Sequence, residues 1–357
     1  YVNSFPVAYQ ESCLPIEAVR DIEHLELLTE DHDIEMDLRA TNAEDSTTLH
    51  FKLFNRFGTA PLSDVLPLLE NMGLRVMGER PYKIRVKNGQ NIWINDFDMT
   101  CVHETEYSID EISDNFKEAF SSVWTGASED DDFNRLIMLA NLNWRDVSAL
   151  RALAKYLRQV GFTFSQDYIA DALIRHPSIV RQLVDLFNLR FDPKNNPSED
   201  ALDEIRLNIE AQLDDVSNLD EDRILRRYLD LIFAILRTNH FQKIDQCQFK
   251  GYLSLKFNPE LIPDLPLPRP MYEIFVYSPR VEGVHLRASS VARGGLRWSD
   301  RREDFRTEVL GLMKAQQVKN AVIVPSGAKG GFYPNNLPES GTREEVMAEV
   351  VSCYRIF

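Results

Sequence analysis

No apolar run in this chain approaches the roughly eighteen residues that a membrane-crossing helix needs, so nothing in it reads as a transmembrane span. Cysteine is scarce, and Cys13, Cys101, Cys247 and Cys353 are scattered, with no CxxC pair among them. That spacing excludes a disulfide framework and a zinc site, and it fits reduced thiols in a cytoplasmic protein. The seven histidines are equally dispersed, and no metal is expected. Positive charge is in deficit: 40 Lys and Arg stand against 56 Asp and Glu, a formal charge of −16. A chain of that sign repels nucleic acid and anionic lipid in general. The opening YVNSFPVAYQESC has neither the basic nor the apolar region of a signal peptide. It begins on Tyr1 in place of Met, from which we expect a fragment of a longer protein.

What is present fits a soluble, well-cored chain of two or three domains, with 44% apolar and 27% charged residues in 357. Residues 1–30 read as a connector that ends in the helix IEAVRDIEHLELL. Residues 31–107 read as a compact α+β unit. Leu49, Phe51 and Leu53 alternate with Thr48, His50 and Lys52, the period-two pattern of a half-buried strand. PLSDVLPLLENMGL follows as a helix, with Gly73 at its stop. RVMGERPYKIRV and NIWINDFDM then read as strands joined at Asn88-Gly89. A small ferredoxin-like sheet with a helix on one face is the expected architecture.

Residues 108–249 turn to helical periodicity. Val147, Leu150, Ala154 and Leu157 form one stripe, Leu202, Ile205, Ile209 and Leu213 another, and Ile224, Tyr228, Leu231 and Ile235 a third. The simplest use of such a region is to space or oligomerise domains. Residues 250–357 return to strands with YLSLKF and MYEIFVYS, as expected for the start of an α/β domain.

The chemistry-bearing stretch begins at ARGGLRWSDRREDFR. Its five arginines are interleaved with Asp300, Glu303 and Asp304, so a phosphate-tracking patch is not expected. Gly294-Gly295 lets the backbone approach a ligand closely, and the flanking Arg293 and Arg297 suit a carboxylate. Asp300 is expected as a helix N-cap with Glu303 at the capping-box position. Phe305, Val309, Leu312, Met313 and Gln316 line one face of the helix that follows, while Arg301, Arg302 and Arg306 read as a solvated or ion-paired face. Gln316 and Lys319 are three apart and point to one side, and AVIVP reads as a short buried strand. The loop SGAKGGF matches neither a P-loop nor a GxGxxG fingerprint. From the residues alone, Lys329 is either an ordinary surface lysine or a crowded amine that loses its proton for acid–base work.

RGGLRWSDRREDFRTEVLGLMKAQQVKNAVIVPSGAKGGF resembles the substrate-binding domain of glutamate dehydrogenases, in the wording of the large bacterial NAD-specific type. LPLPRPMYEIFVYSPRVEGVHLR looks like the same family, and LSDVLPLLENMGLRVMGERPY resembles its last ACT-like regulatory unit. The resemblance covers essentially the whole chain and is most specific from about 270 to 332. It implies NAD-dependent oxidative deamination of L-glutamate to 2-oxoglutarate in a cytoplasmic homo-oligomer such as a tetramer. An amino acid is the implied effector. Lys329 matches the family's catalytic lysine, Lys319 the lysine that binds the α-carboxylate, and Gln316 a glutamine at the same carboxylate. Arg293, before Gly294 and Gly295, stands where shorter relatives have a lysine for the side-chain carboxylate, a departure matched by the shorter PSGAKGG loop. The catalytic aspartate, the NAD site and its Rossmann domain are implied to lie outside these residues. The other reading is an amino-acid-sensing, oligomerising segment without catalysis of its own.

Overall fold

The computed structural model describes residues 1, 3–42, 45–86, 89, 91–245, 248–291, 294–320, 326–338 and 340–357. The chain is a mixed α/β protein in two compact units, one of residues 1–125 and 130–144, the other of residues 126–129 and 145–357. Arg293, Asn88 of the expected hairpin turn, and the expected strand at 321–325 lie outside the described residues.

The first unit runs α1 (Val7–Ser12), α2 (Pro15–Leu27), β1 (Ile34–Asn42), β2 (Asp45–Asn55), α3 (Leu62–Asn71), β3 (Leu74–Arg85), β4 (Asn91–Cys101), α4 (Ile109–Trp124) and α5 (Arg135–Leu139). Its sheet is antiparallel in the order β1-β2-β4-β3. A ferredoxin-like sheet has this order, but here the outer strand β1 precedes the first crossover and does not follow the last helix.

Both faces of this sheet are covered, where the sequence pattern suggested one. On one face Phe51 meets Phe116 edge-on at 5.4 Å and Phe120 at 5.2 Å, both from α4. On the other face Phe54, Tyr82, Ile84, Ile92 and Ile94 close around Tyr9 and Leu25. The second face was hidden by Lys52, a charged residue at an inward position. Its ammonium lies 2.7 Å from Asp21, which is fully buried and also accepts a 2.5 Å hydrogen bond from the Tyr9 hydroxyl. A buried lysine that is paired fits a core, and alternation of residue type then fails to report it.

The second unit carries helices α6 (Trp144–Gln159), α7 (Gln166–Arg175), α8 (Pro177–Phe191), α9 (Glu199–Leu213) and α10 (Leu219–Ala234). Then come β5 (Ile235–Thr238), β6 (Leu253–Phe257), β7 (Tyr272–Tyr277), β8 (Val281–Arg287), β9 (Leu296–Trp298), α11 (Phe305–Asn320), β10 (Ala328–Pro334) and α12 (Arg343–Ile356). Strands thus resume at Ile235, ahead of YLSLKF. The sheet order is β5-β6-β7-β8-β10-β9, antiparallel except for the parallel pair β9–β10.

One face of this sheet packs on α6 and α11. Tyr156 stacks on Phe257 at 4.4 Å, and Lys155 lies 2.8 Å from both Glu129 and Glu282. On the other face, near the Val281 end of β8, Val350 and Cys353 of α12 close over Val281 and Phe332. The α11 cap differs from expectation. Asp304, rather than Asp300, stands at the N-cap position: its backbone carbonyl accepts from the amides of Thr307 and Glu308, while its side chain is held by Arg301. Arg306 also differs: the residue read as part of a solvated or ion-paired face is paired, but fully buried.

Candidate active site

Lys329 is the second residue of β10 and stands opposite Leu286 of β8, on the sheet face that α11 covers. Alternation along a strand puts residues two apart on the same face, so Gly327 and Gly331 flank Lys329 there. Neither has room for a side chain. A Cβ at Gly331 would stand 2.4 Å from Cγ2 of Val309, and one at Gly327 would stand 2.8 Å from the Met313 carbonyl oxygen. Helix α11 therefore lies directly on the backbone either side of Lys329, which is itself part-exposed. On the opposite face, a Cβ at Gly330 would meet Leu296 at 2.4 Å.

The Gly294-Gly295 pair is drawn to the same strand. A Cβ at Gly294 would overlap the carbonyl oxygen of Ala328, at 1.6 Å, and the Gly295 carbonyl accepts from the Gly330 amide at 3.2 Å. The close approach read from the sequence is thus a backbone crossing next to Lys329. Ser289 and Ser326 join hydroxyls at 2.5 Å, and Ser326 donates to the Val291 carbonyl at 2.6 Å. These bonds fasten the loop after β8 to the loop before β10.

Gln316 comes to this centre from α11: its Cβ lies 3.2 Å from where a Gly327 side chain would begin. Lys319 follows one turn later and is exposed. Among the described residues, neither Lys319 nor Lys329 shares an ion pair with a carboxylate, which leaves two amines for an anionic ligand. The structure therefore brings Gly294, Gly295, Gln316 and Lys329 together around the start of β10, with Lys319 on the adjoining turn.

Arg297, read as a second carboxylate binder, is instead held 3.2 Å from Glu308, which also accepts from the Ser299 hydroxyl at 2.7 Å. Glu273 plays a similar part for Arg306, at 2.5 and 2.7 Å. Sequence reasoning passed over both acids. For Glu273 the signal was visible: a lone carboxylate at an inward-facing position in MYEIFVYS needs a cationic partner. No group of three or more His, Cys, Asp or Glu suited to a metal occurs among the described residues. Nor is any helix there long and apolar enough to cross a membrane.

Four family models match along the chain. These are "Glutamate dehydrogenase, helical motif 2" over residues 1–28, "Glutamate dehydrogenase, ACT3 domain" over 33–112, "Glutamate dehydrogenase, helical motif 3" over 128–193, and "Bacterial NAD-glutamate dehydrogenase, catalytic domain" over 208–357. The NAD-specific glutamate dehydrogenase of Halomonas elongata is 50% identical over 355 residues, 99% of this chain and 22% of its own length. That of Pseudomonas aeruginosa is 52% identical over 361 residues, 100% of this chain and 22% of its own length. That of Mycobacterium tuberculosis is 45% identical over 371 residues, again 100% of this chain and 23% of its own length. The chain spans about a fifth of the length of the curated relatives it matches.

Proposed function

The chain belongs to the large NAD-specific glutamate dehydrogenases, and on that premise we propose that it carries the substrate half of a site that oxidatively deaminates L-glutamate to 2-oxoglutarate and ammonium. The observation that carries this reading is the convergence at β10. Lys329 lies between two glycines pressed under α11, and Gln316 and the Gly294-Gly295 crossing meet the same few residues. Glutamate has two carboxylates, and its site needs two fixed cations beside an amine able to exchange a proton. Lys319, helped by Gln316, takes the α-carboxylate. Arg293 takes the side-chain carboxylate, and Gly294 and Gly295 set the backbone that carries it. Lys329 acts at the amino carbon, orienting the water that adds to the oxidised substrate and handling its proton.

The glycines around Lys329 do not fit a dinucleotide cradle. Gly327, Gly330 and Gly331 are each filled by protein atoms, so none presents a bare backbone to a pyrophosphate. NAD, the hydride acceptor, is assigned to residues outside this chain on the family resemblance alone. The whole protein is read as a cytoplasmic homo-oligomer. Residues 31–107 form an ACT-like regulatory unit that senses an amino acid, residues 108–249 a helical spacer, and residues 250–357 the start of the catalytic domain.

The test is Lys329→Ala in the full-length enzyme. NADH formation from glutamate and NAD should fall by at least about a thousandfold, as loss of an acid–base group and its charge requires, while the melting profile is kept. Turnover within tenfold of the parent would remove Lys329 from the chemistry.

A further inference from the structure

In the second unit, the sheet face turned away from α6 and α11 carries an unusual set of charges. Register places Arg237 opposite Lys256, Lys256 opposite Ile274, and Tyr272 opposite Arg287. Alternation then sets Arg237, Lys256, Tyr272, Ile274, His285 and Arg287 on one face. Glu273 and Glu282 stand on the other, and no aspartate or glutamate of the described strands β5 to β8 falls on the first. In a chain of formal charge −16, three cations without an acid are not an average sample of surface.

The cations converge. The Lys256 ammonium lies 4.1 Å from the Tyr272 ring centroid, and the Arg287 guanidinium carbon lies 6.0 Å from the same centroid. The ring holds the ammonium by its quadrupole. Among the described residues none of Arg237, Lys256 and Arg287 shares an ion pair with a carboxylate. Arg237 is exposed, and Lys256, Tyr272 and Arg287 are part-exposed, so the face is accessible from solvent. Two nitrogens at its floor, Nε of Arg287 and Nδ1 of His285, are buried with no hydrogen-bond partner among the described residues. Burial, with Arg237 and Arg287 as like-charged neighbours, lowers the Lys256 pKa from its ordinary value. Like charges held together with no counter-charge are relieved when an anion binds.

We propose that this face is a binding site for a small phosphate-bearing molecule, its phosphate oxygens taken by Lys256, Arg287 and Arg237. Guanidinium forks match phosphate oxygens in pairs, and an ammonium adds a point charge. Three cations suit the two or more negative charges of a phosphate or diphosphate better than the single charge of one carboxylate. The site lies on the sheet face opposite Lys329, and it does not depend on the glutamate reading.

Inorganic pyrophosphate is the probe, titrated calorimetrically into the full-length protein at fixed ionic strength, with citrate in a parallel titration. Saturable pyrophosphate binding is expected, weakened by about tenfold or more in Lys256→Ala and in Arg287→Ala. Lys256→Arg should retain it. Arg301→Ala serves as control, because that exposed arginine is already held by Asp304 and its loss should leave binding unchanged. The thermal unfolding profile of each variant establishes that it is folded. Absence of saturable binding, equal binding by the alanine variants, or citrate binding as tightly as pyrophosphate would each overturn the proposal.

Discussion

Arg306 Nε lies 2.5 Å and Nη2 2.7 Å from the two carboxylate oxygens of Glu273, and neither side chain has any exposed surface. The pair ties the first turn of α11 to the middle of the sheet. The α6 residue Gln159 accepts from the Arg306 amide at 3.1 Å, joining a third element to it. A buried ion pair is worth little against a matched apolar pair, whereas half of one is costly. Glu273→Gln or Arg306→Met alone should therefore destabilise the second unit by about 3–5 kcal/mol. The double variant Glu273→Leu/Arg306→Met should recover most of that loss. Thermal unfolding of the three variants checks it, and a double variant worse than both singles would contradict the account.

Gly294 is predicted to be the least replaceable residue near Lys329. An alanine Cβ at Gly294 would overlap the Ala328 carbonyl oxygen, which is backbone and unable to swing away. At Gly331 the obstacle is a Val309 methyl, which a rotamer change or a small helix shift relieves in part. Gly294→Ala should thus cost at least about a hundredfold in kcat/KM for glutamate, since displacements of about 1 Å near reacting groups have that effect. Gly331→Ala should cost less. Gly295→Ala, where a Cβ meets nothing within 4 Å among the described residues, should be the mildest of the three. Steady-state kinetics of the full-length enzyme would rank them, and Gly295→Ala as the most damaging would refute the packing argument.

Sequence legibility followed local pattern and failed where charge was buried. β2, α3, β3 and β4 were readable because apolar period and Gly73 mark them without reference to the rest of the chain. β1, IEMDLRATN, was not: Glu35, Asp37 and Arg39 alternate with apolar residues, but the run follows an acidic stretch that reads as a loop. Lys52 was read on the polar side of a half-buried strand and Arg306 on a solvated or ion-paired face, because their partners, Asp21 and Glu273, lie 31 and 33 positions away in the chain. At the candidate site, GAKGG by itself left Lys329 open between a surface lysine and a crowded amine, and the family resemblance singled it out. Only three dimensions revealed that its glycines serve the packing of α11, β9 and β8.

His50 gives the first unit a pH dependence of known sign. Its neighbour Asp96 raises the imidazole pKa above the ordinary 6.5, and Asp98, 2.9 Å away, adds to this against burial and Arg80. A raised histidine contributes stability that is complete below its unfolded value and lost as pH rises through its folded value. Stability of this unit should therefore decline as pH rises above about 6.5, by less than about 1 kcal/mol from this residue because the side chain is partly solvated. In His50→Asn that part of the slope should vanish. A slope of unchanged size, read from melting temperatures across the range, would assign it to other groups.

Asp21 is predicted to be the residue that seats α2 on its sheet. It is fully buried, it faces the Lys52 ammonium at 2.7 Å, and it accepts from Tyr9. Burial and the Asp21 carboxylate push the Tyr9 pKa far up, so the phenol stays protonated and remains the donor. Losing the acid strands a buried cation, and Asp21→Ala should cost about 3–5 kcal/mol. Tyr9→Phe removes only one hydrogen bond to a charged group and should cost about 1.5–3 kcal/mol. Hydrogen exchange of the α2 amides reports this locally, and protection there should fall more in Asp21→Ala than in Tyr9→Phe, with α12 of the other unit unaffected. Equal protection of α2 in both variants would show that apolar contacts around Leu25, rather than the charge, hold the helix in place.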